Sequence, residues 1–220
     1  MSHHPAGLPT PHYGSGGRAA LLLRRPTGAA TASLSVDFVN TVVCPACHVK
    51  DALSSLGDFA RWTRAHPDLP SLMWTQPGLN RLMVLREDLR LLFEHSIEHR
   101  RPPLGPLSQV NARLRLAPVH LELKWRGTRL SFEEVLESRD PEQRWMGIVA
   151  RSAVELLGGP FRQRLRRCQA PDCLHYLVAR TRGQLWCSAT GCGNRVRVAR
   201  HYRRIKQGRP VSRRGRGGRR

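Results

Sequence analysis

The longest regular pattern in the chain is a stripe of apolar side chains between Leu79 and Ile97. Leu79, Leu82, Met83, Leu85, Leu89, Leu92, Phe93 and Ile97 recur at three- and four-residue steps, the period that gathers side chains on one face of a helix. The spacing predicts a helix over about 77–99, with Arg86, Glu87, Asp88, Arg90 and Arg100 on its wet sides. Leu53, Leu56, Phe59, Ala60 and Trp62 predict another over 51–65, ended by His66-Pro67. A third is expected from Leu107 to Leu116, after a linker containing Pro102-Pro103 and Gly105-Pro106. Asp140-Pro141-Glu142-Gln143 is a helix start, with an acidic cap, a proline in the first turn and a glutamine three places on. That helix turns Trp145, Ile148, Val149, Ala153, Leu156 and Leu157 inward and stops at Gly158-Gly159-Pro160.

At Val119 the period drops to two. Val119, Leu121, Leu123 and Trp125 alternate with His120, Glu122 and Lys124, the pattern of a half-buried strand. Arg126-Gly127-Thr128 turns, and Arg129 to Phe132 returns. Leu34, Val36 and Phe38 also alternate and fit a short strand; Asp37 to Val43 fits a helix start equally well. The fold class is therefore α+β: a mostly helical N-terminal domain with a small antiparallel hairpin, followed by a small module around Cys168, Cys173, Cys187 and Cys192, read as a zinc finger of two short strands and a basic helix. Residues 1–33, rich in Gly, Pro, Ala and His, are read as a disordered arm, 34–160 as the body, 161–206 as the finger and 207–220 as a disordered Arg/Gly tail.

The finger reading rests on Cys168, Cys173, Cys187 and Cys192. Each pair encloses four residues, and thirteen separate the pairs. Two short cysteine loops joined by a hairpin-sized excursion can place four thiolates at tetrahedral corners. Leu174 to Val178 and Leu185 to Trp186 are the expected strands of that excursion, with Arg182-Gly183 as its turn. Two disulfides or four free thiols are the rival readings. A reducing compartment favours metal over disulfides, and four thiolates leave no coordination position for water, so one structural Zn2+ is expected rather than a catalytic one. Cys44-Pro45-Ala46-Cys47-His48 spells a haem-attachment pattern, but five residues carry little specificity; Cys44, Cys47 and His48 are read as loop residues, with a redox or second-metal role as the alternative.

Charge is concentrated at the same end. From Phe161 to Arg220 there are 18 Lys and Arg against one acid, Asp172, so +17 of the chain's net +21 lies there and the first 160 residues carry +4. Such asymmetry points to a polyanionic partner. After Cys192 a helix is expected, capped by Asn194 and running to about Ile205. Val198, Tyr202 and Ile205 fall on one side, expected to face the finger, and Arg197, Arg200, His201 and Arg204 form a stripe on another, expected to face outward. Arg195, Arg197, Arg200, His201, Arg203, Arg204 and Lys206 are the candidate nucleic-acid contacts. No apolar run approaches a membrane span of about 18 residues; Leu21 to Leu23 are cut short by Arg24 and Arg25. A cytoplasmic, nucleoid-associated protein is expected.

The segment Trp186 to Arg195, WCSATGCGNR, with the continuation Arg197 to Arg204, RVARHYRR, resembles the CGNR zinc-finger family. Its members usually carry an N-terminal domain called ABATE, associated with bacterial stress-induced transcription regulators. Asp37-Phe38-Val39-Asn40-Thr41 matches the DFxNT motif that opens that domain. In the motif Phe38 is expected to pack, while Asp37 and Asn40 bond local backbone amides. The resemblance implies a DNA-binding regulator with a small-molecule effector as a possible second partner. An RNA- or ribosome-associated zinc protein is the alternative. No nucleophile motif, phosphate loop or paired metal histidines mark the body as an enzyme.

Overall fold

A computed structural model describes residues 31–44, 49–66, 69–70 and 72–207. The readings of residues 1–30, of Cys47 and His48, and of the tail beyond Gln207 lie outside them.

Among the described residues, five helices make the body. α1 (Thr31–Val39) leads into a two-residue strand β1 (Val42–Val43), which pairs antiparallel with β2 (Lys50–Asp51). The alternation from Leu34 to Phe38 is thus helical, and the helix ends at Val39 rather than beginning at Asp37. Nine residues are too few to separate the two periods; contact with a neighbouring helix decides, with Ser35 fully buried and its N–H donated to Ser152 Oγ at 3.0 Å. α2 (Leu56–Arg64) starts at Ser55, whose hydroxyl accepts from Asp58 N. α3 (Gln76–Ile97) is capped by Thr75, which accepts from Gly78 N. α4 (Leu104–Leu116) begins three residues before the expected start, taking in Gly105-Pro106. A proline in a helix's first turn removes an N–H that has no intrahelical partner there. α5 (Pro141–Gly158) has the anticipated cap: Asp140 accepts from both Glu142 N and Gln143 N.

α5 lies against α1, α3 and α4. Trp145, fully buried on α5, meets Phe59 at 5.2 Å, Trp74 at 5.5 Å and Phe38 at 6.0 Å between ring centroids. Leu79, Leu82, Leu85, Leu89 and Phe93 of α3 complete this core. At the α4–α5 crossing a Cβ on Gly147 would sit 2.4 Å from Ala117 Cβ, so only glycine admits this approach. Arg86, buried on α3, donates to Asp51 Oδ1 at 2.7 Å and to Thr41 Oγ1 at 3.0 Å, tying the β1–β2 bridge to the bundle.

Between α4 and α5 stands the expected hairpin. β3 (Val119–Arg126) pairs with β4 (Arg129–Leu136) from Val119↔Leu136 out to Arg126↔Arg129. Gly127 takes a φ of 61° at the turn, a conformation glycine adopts without strain. The face expected to be buried is not: only its base, at Leu136 and Glu134, is covered, and Leu121, Leu123 and Trp125 are exposed.

A single 3-10 turn (Pro160–Arg164) then leads to β5 (Leu165–Arg167), which pairs antiparallel with β6 (Tyr176–Val178). The finger's strand pair therefore brackets the first cysteine loop. Leu185 and Trp186, expected as the second strand, are irregular, with one backbone link from Gln169 N to Leu185 O at 2.9 Å. Arg182-Gly183 does turn, closed by Gln184 N on Thr181 O at 3.2 Å. A π-turn (Ala189–Gly193) runs into the last helix, α6 (Asn194–Lys206). No helix is long and apolar enough to cross a membrane among the described residues.

Candidate metal centre and basic helix

Each cysteine loop is fixed by its own backbone. Cys168 N donates to His175 O at 2.8 Å, extending the β5–β6 ladder by one rung, and Cys173 N returns to Ala170 O at 3.2 Å. Asp172 absorbs the bend between them with a φ of 60°, a region that Asp enters more readily than most side chains. In the second loop Ser188 accepts from Gly191 N at 3.0 Å through its hydroxyl and from Gly193 N at 2.8 Å through its carbonyl. Ser188 thus caps the π-turn and the helix that continues from it. Asn194, expected as the cap, already has helical dihedrals, and Gly193 before it makes no side-chain cap bond.

These loops bring the four Sγ atoms within 4.8 Å of one another. Cys173 and Cys187 are 3.8 Å apart, Cys187 and Cys192 3.6 Å, and Cys192 and Cys173 3.6 Å. A tetrahedron with Zn–S bonds of about 2.3 Å has S···S edges of about 3.8 Å, so the cluster has the size of a zinc site. A disulfide needs about 2.05 Å, and all four cysteines are free. The donor set fits one zinc with every coordination position filled by protein. Cys187 N also points at Cys168 Sγ at 3.3 Å, a donor for a ligating thiolate. Burial pushes the Cys173 thiol up to about 11, with Cys168 and Cys192 adding to it, and raises Cys187 further. Burial acts the same way on Cys168 but is outweighed there by N–H donors from Cys187 and Ala170, so its net shift is downward. Metal uptake by such a cluster releases protons. Cys44 lies apart, on the loop after β1, and joins no metal-sized group among the described residues.

The CGNR tetrad has a physical reading. A Cβ on Gly193 would meet Trp186 Cε3, Ser188 O and Arg197 Nη1, each at 3.3 Å, so glycine lets the second loop close under the indole. Arg195 Nη2 donates to Pro171 O at 3.0 Å and stands 3.7 Å from Cys192 Sγ, cross-linking the two loops beside the thiolates. Arg197 Nη2 donates to Ala189 O at 3.0 Å. These two of the seven candidate contacts are engaged within the finger. Arg200, His201, Arg203, Arg204 and Lys206 are exposed, and their side chains have no hydrogen-bond or ion-pair partner among the described residues. Val196 packs on the finger's small core, whereas Val198, Tyr202 and Ile205, expected to face inward, are exposed. Beyond its first turn α6 therefore projects from the finger.

Sequence reasoning missed how the finger joins the body. In the β5–β6 ladder the hydrogen bonds fall at Cys168/His175 and Arg164/Ala179, so the alternation turns the N–H and C=O of Tyr176 away from β5. Asn40 meets both: Nδ2 donates to Tyr176 O at 2.9 Å, and Oδ1 accepts from Tyr176 N at 2.7 Å. The expected local role of Asn40 is thus a clamp across 136 residues. The Tyr176 ring lies edge-on to Phe93 at 5.5 Å and under the Arg90 guanidinium at 5.5 Å, and its hydroxyl donates to Glu94, which also pairs with Arg167. Burial and Glu94 both push the Tyr176 hydroxyl's pKa upward. The DFxNT motif signalled Asn40, but nothing in the sequence pointed to its partner. Asp37, by contrast, is exposed, and among the described residues its ionisable neighbour is His66, with Nε2 at 3.9 Å.

Residues 32–160 match the ABATE family, described as "Putative stress-induced transcription regulator", and residues 164–205 match the CGNR zinc finger. No curated protein matches the chain. The first match alone spans more than half of the sequence and the second holds all four thiol ligands: the chain belongs to the ABATE family and carries a CGNR zinc finger.

Proposed function

We propose that the protein is a DNA-binding transcription regulator whose zinc does no chemistry and serves to hold α6 against a duplex. The observation that carries this reading is the unpartnered basic array of Arg200, Arg203, Arg204 and Lys206 on a helix anchored at one end by the four-cysteine cluster. Free guanidinium groups on a rigid support are what phosphate contact requires, and phosphate contacts supply most of the sequence-independent affinity. Arg195 and Arg197 serve this surface indirectly, by fixing the loop from which the helix springs. The arginines beyond Gln207 add positive charge of the sequence-tolerant kind. The body acts as a sensing or assembly domain without enzymatic activity, and the protein works in the cytoplasm on the nucleoid. The exposed ring of Tyr202 among the arginines favours a second reading, in which an unpaired RNA base stacks there.

The test is binding of the zinc-loaded protein to duplex DNA and to structured RNA across a salt series. With about five phosphates neutralised, duplex affinity falls with a log–log slope of roughly −4 to −5. Changing Arg200, Arg203 and Arg204 together to Ala flattens that slope by up to about three and weakens every sequence alike. A triple variant that binds the duplex as tightly as the parent rules out α6 as the contact surface. Preference for RNA, abolished by Tyr202→Ala, selects the second reading.

A further inference from the structure

The β3–β4 hairpin exposes a continuous apolar face. Cross-strand partners share a face, so the register groups Leu121 with Glu134, Leu123 with Phe132, and Trp125 with Leu130. Leu121 is 64% exposed, Leu123 71%, Trp125 67%, Leu130 60% and Phe132 56%. The opposite face is polar along its middle rungs, and its charges pair among themselves: Lys124 Nζ lies 3.1 Å from Glu122 and 3.4 Å from Glu133, which Arg126 also reaches, and His120 Nδ1 lies 2.7 Å from a Glu137 oxygen. The hairpin's outer rungs are therefore open to water on both faces, with Lys124, Arg126 and the glutamates paired on one side and apolar side chains exposed on the other. A two-stranded hairpin with an uncovered apolar face is marginal in water.

We propose that this face is the interface of a homodimer, formed by the same face of a second copy. Three observations select that occupant. The five side chains expose roughly 500–600 Å² per chain, at the upper end of a monomer's largest apolar patch. Closing two such faces buries about 1,000–1,200 Å² in total, the lower bound for a specific interface. Charge points the same way. In a chain of net +21, residues 119–137 carry four acids against three Lys and Arg, a local balance of −1. Here a second copy meets far less repulsion than at the basic C-terminal end, and a polyanion finds no net positive charge. A ribbon whose apolar residues stand in cross-strand pairs also offers one patch that a second copy can meet about a twofold axis.

The experiment is sedimentation of the zinc-loaded full chain across the micromolar range at high ionic strength. The parent is expected to reach twice the monomer mass of 24.9 kDa. Leu123→Lys/Phe132→Glu replaces one apolar pair with an ion pair across the same rung, which keeps the hairpin's own stability while placing charge in the interface. It is expected to raise the dimer dissociation constant at least about 100-fold. Hydrogen exchange on the parent gives a readout that needs no variant: amides of 119–136 gain protection as concentration rises. A monomeric parent, a variant that dimerises like the parent, or hairpin exchange that ignores concentration each overturns the proposal. A parent that dimerises only after residues 1–30 are deleted assigns the face to the chain's own N-terminal segment and overturns it too.

Discussion

Replacing Asn40 with alanine isolates the clamp between body and finger. The carboxamide makes two hydrogen bonds, both to the backbone of buried Tyr176, at 2.9 and 2.7 Å. Their loss leaves one N–H and one C=O on the outer edge of β6 without partners, and an unmet buried group costs about 1–3 kcal/mol. Asn40 itself is only half-buried, so water can partly replace it. The expected loss is about 2–4 kcal/mol, a large part of the roughly 5–15 kcal/mol available to a domain. Asn40→Asp keeps the acceptor for Tyr176 N but sets a charged oxygen against Tyr176 O, and is expected to destabilise at least as much at neutral pH. Asp37→Asn, three residues earlier in the same motif, changes an exposed side chain and is expected to shift stability by less than about 0.5 kcal/mol. Urea unfolding of the zinc-saturated protein, followed by helical circular dichroism, measures all three. Equal effects for Asn40→Ala and Asp37→Asn would refute the clamp.

Three further outcomes are expected. Metal analysis should find one zinc per chain, retained in Cys44→Ser and lost when any of Cys168, Cys173, Cys187 or Cys192 becomes Ser. Because Tyr176 sits in the body's core, chelation should also lower the calorimetric transition of the helical body; an unchanged body transition would contradict the shared core. Arg86 holds the Asp51 carboxyl below its ordinary 3.8 by hydrogen bonding, partly opposed by burial. Stability from a depressed carboxyl is present above the ordinary value and is lost as pH falls through the depressed one. Arg86→Met should therefore cost about 1–3 kcal/mol at neutral pH, discounted because Asp51 is a third exposed. The gap to the parent should narrow below about pH 4. A gap that stays constant down to acid unfolding would assign the loss to packing alone.

Much of this architecture was legible because local rules sufficed. The stripe from Leu79 to Phe93 lies in the core as spaced, Asp140 caps α5, Gly127 makes the turn, and the four cysteines meet at zinc dimensions. What failed depended on neighbours. Periodicity groups side chains by face but is silent on which face is covered, so Leu121, Leu123 and Trp125 were placed inward with the correct grouping and the wrong environment. Val198, Tyr202 and Ile205 failed for the same reason: one side of α6 is apolar, but only Val196 has protein beneath it. Asn40 was legible as a motif residue and illegible as a contact, because its partner lies across a fold that a single sequence does not reveal.

Strand β6 explains why finger and body cannot be treated as beads on a string. Its alternation serves two cores: Tyr176 and Val178 pack with the body, and Leu177 and Ala179 with the cysteine cluster. One strand is the wall between them, so the body's packing sets the orientation of β5–β6, and the first cysteine loop springs from that pair. The second loop is bound to the first through Cys187 N on Cys168 Sγ and through Arg195, and α6 continues from the second loop without a break. Each link in this series is a hydrogen bond or a packed core rather than a flexible joint. The direction in which α6 projects is therefore a property of the helical body as much as of the zinc. A change in packing around Tyr176, Glu94 and Asn40 would re-aim the basic helix without touching a metal ligand. On the proposed function, that junction is where a signal received by the body would reach the nucleic acid. Should the hairpin also pair two copies, the spacing of the two basic helices would be fixed by the same contacts.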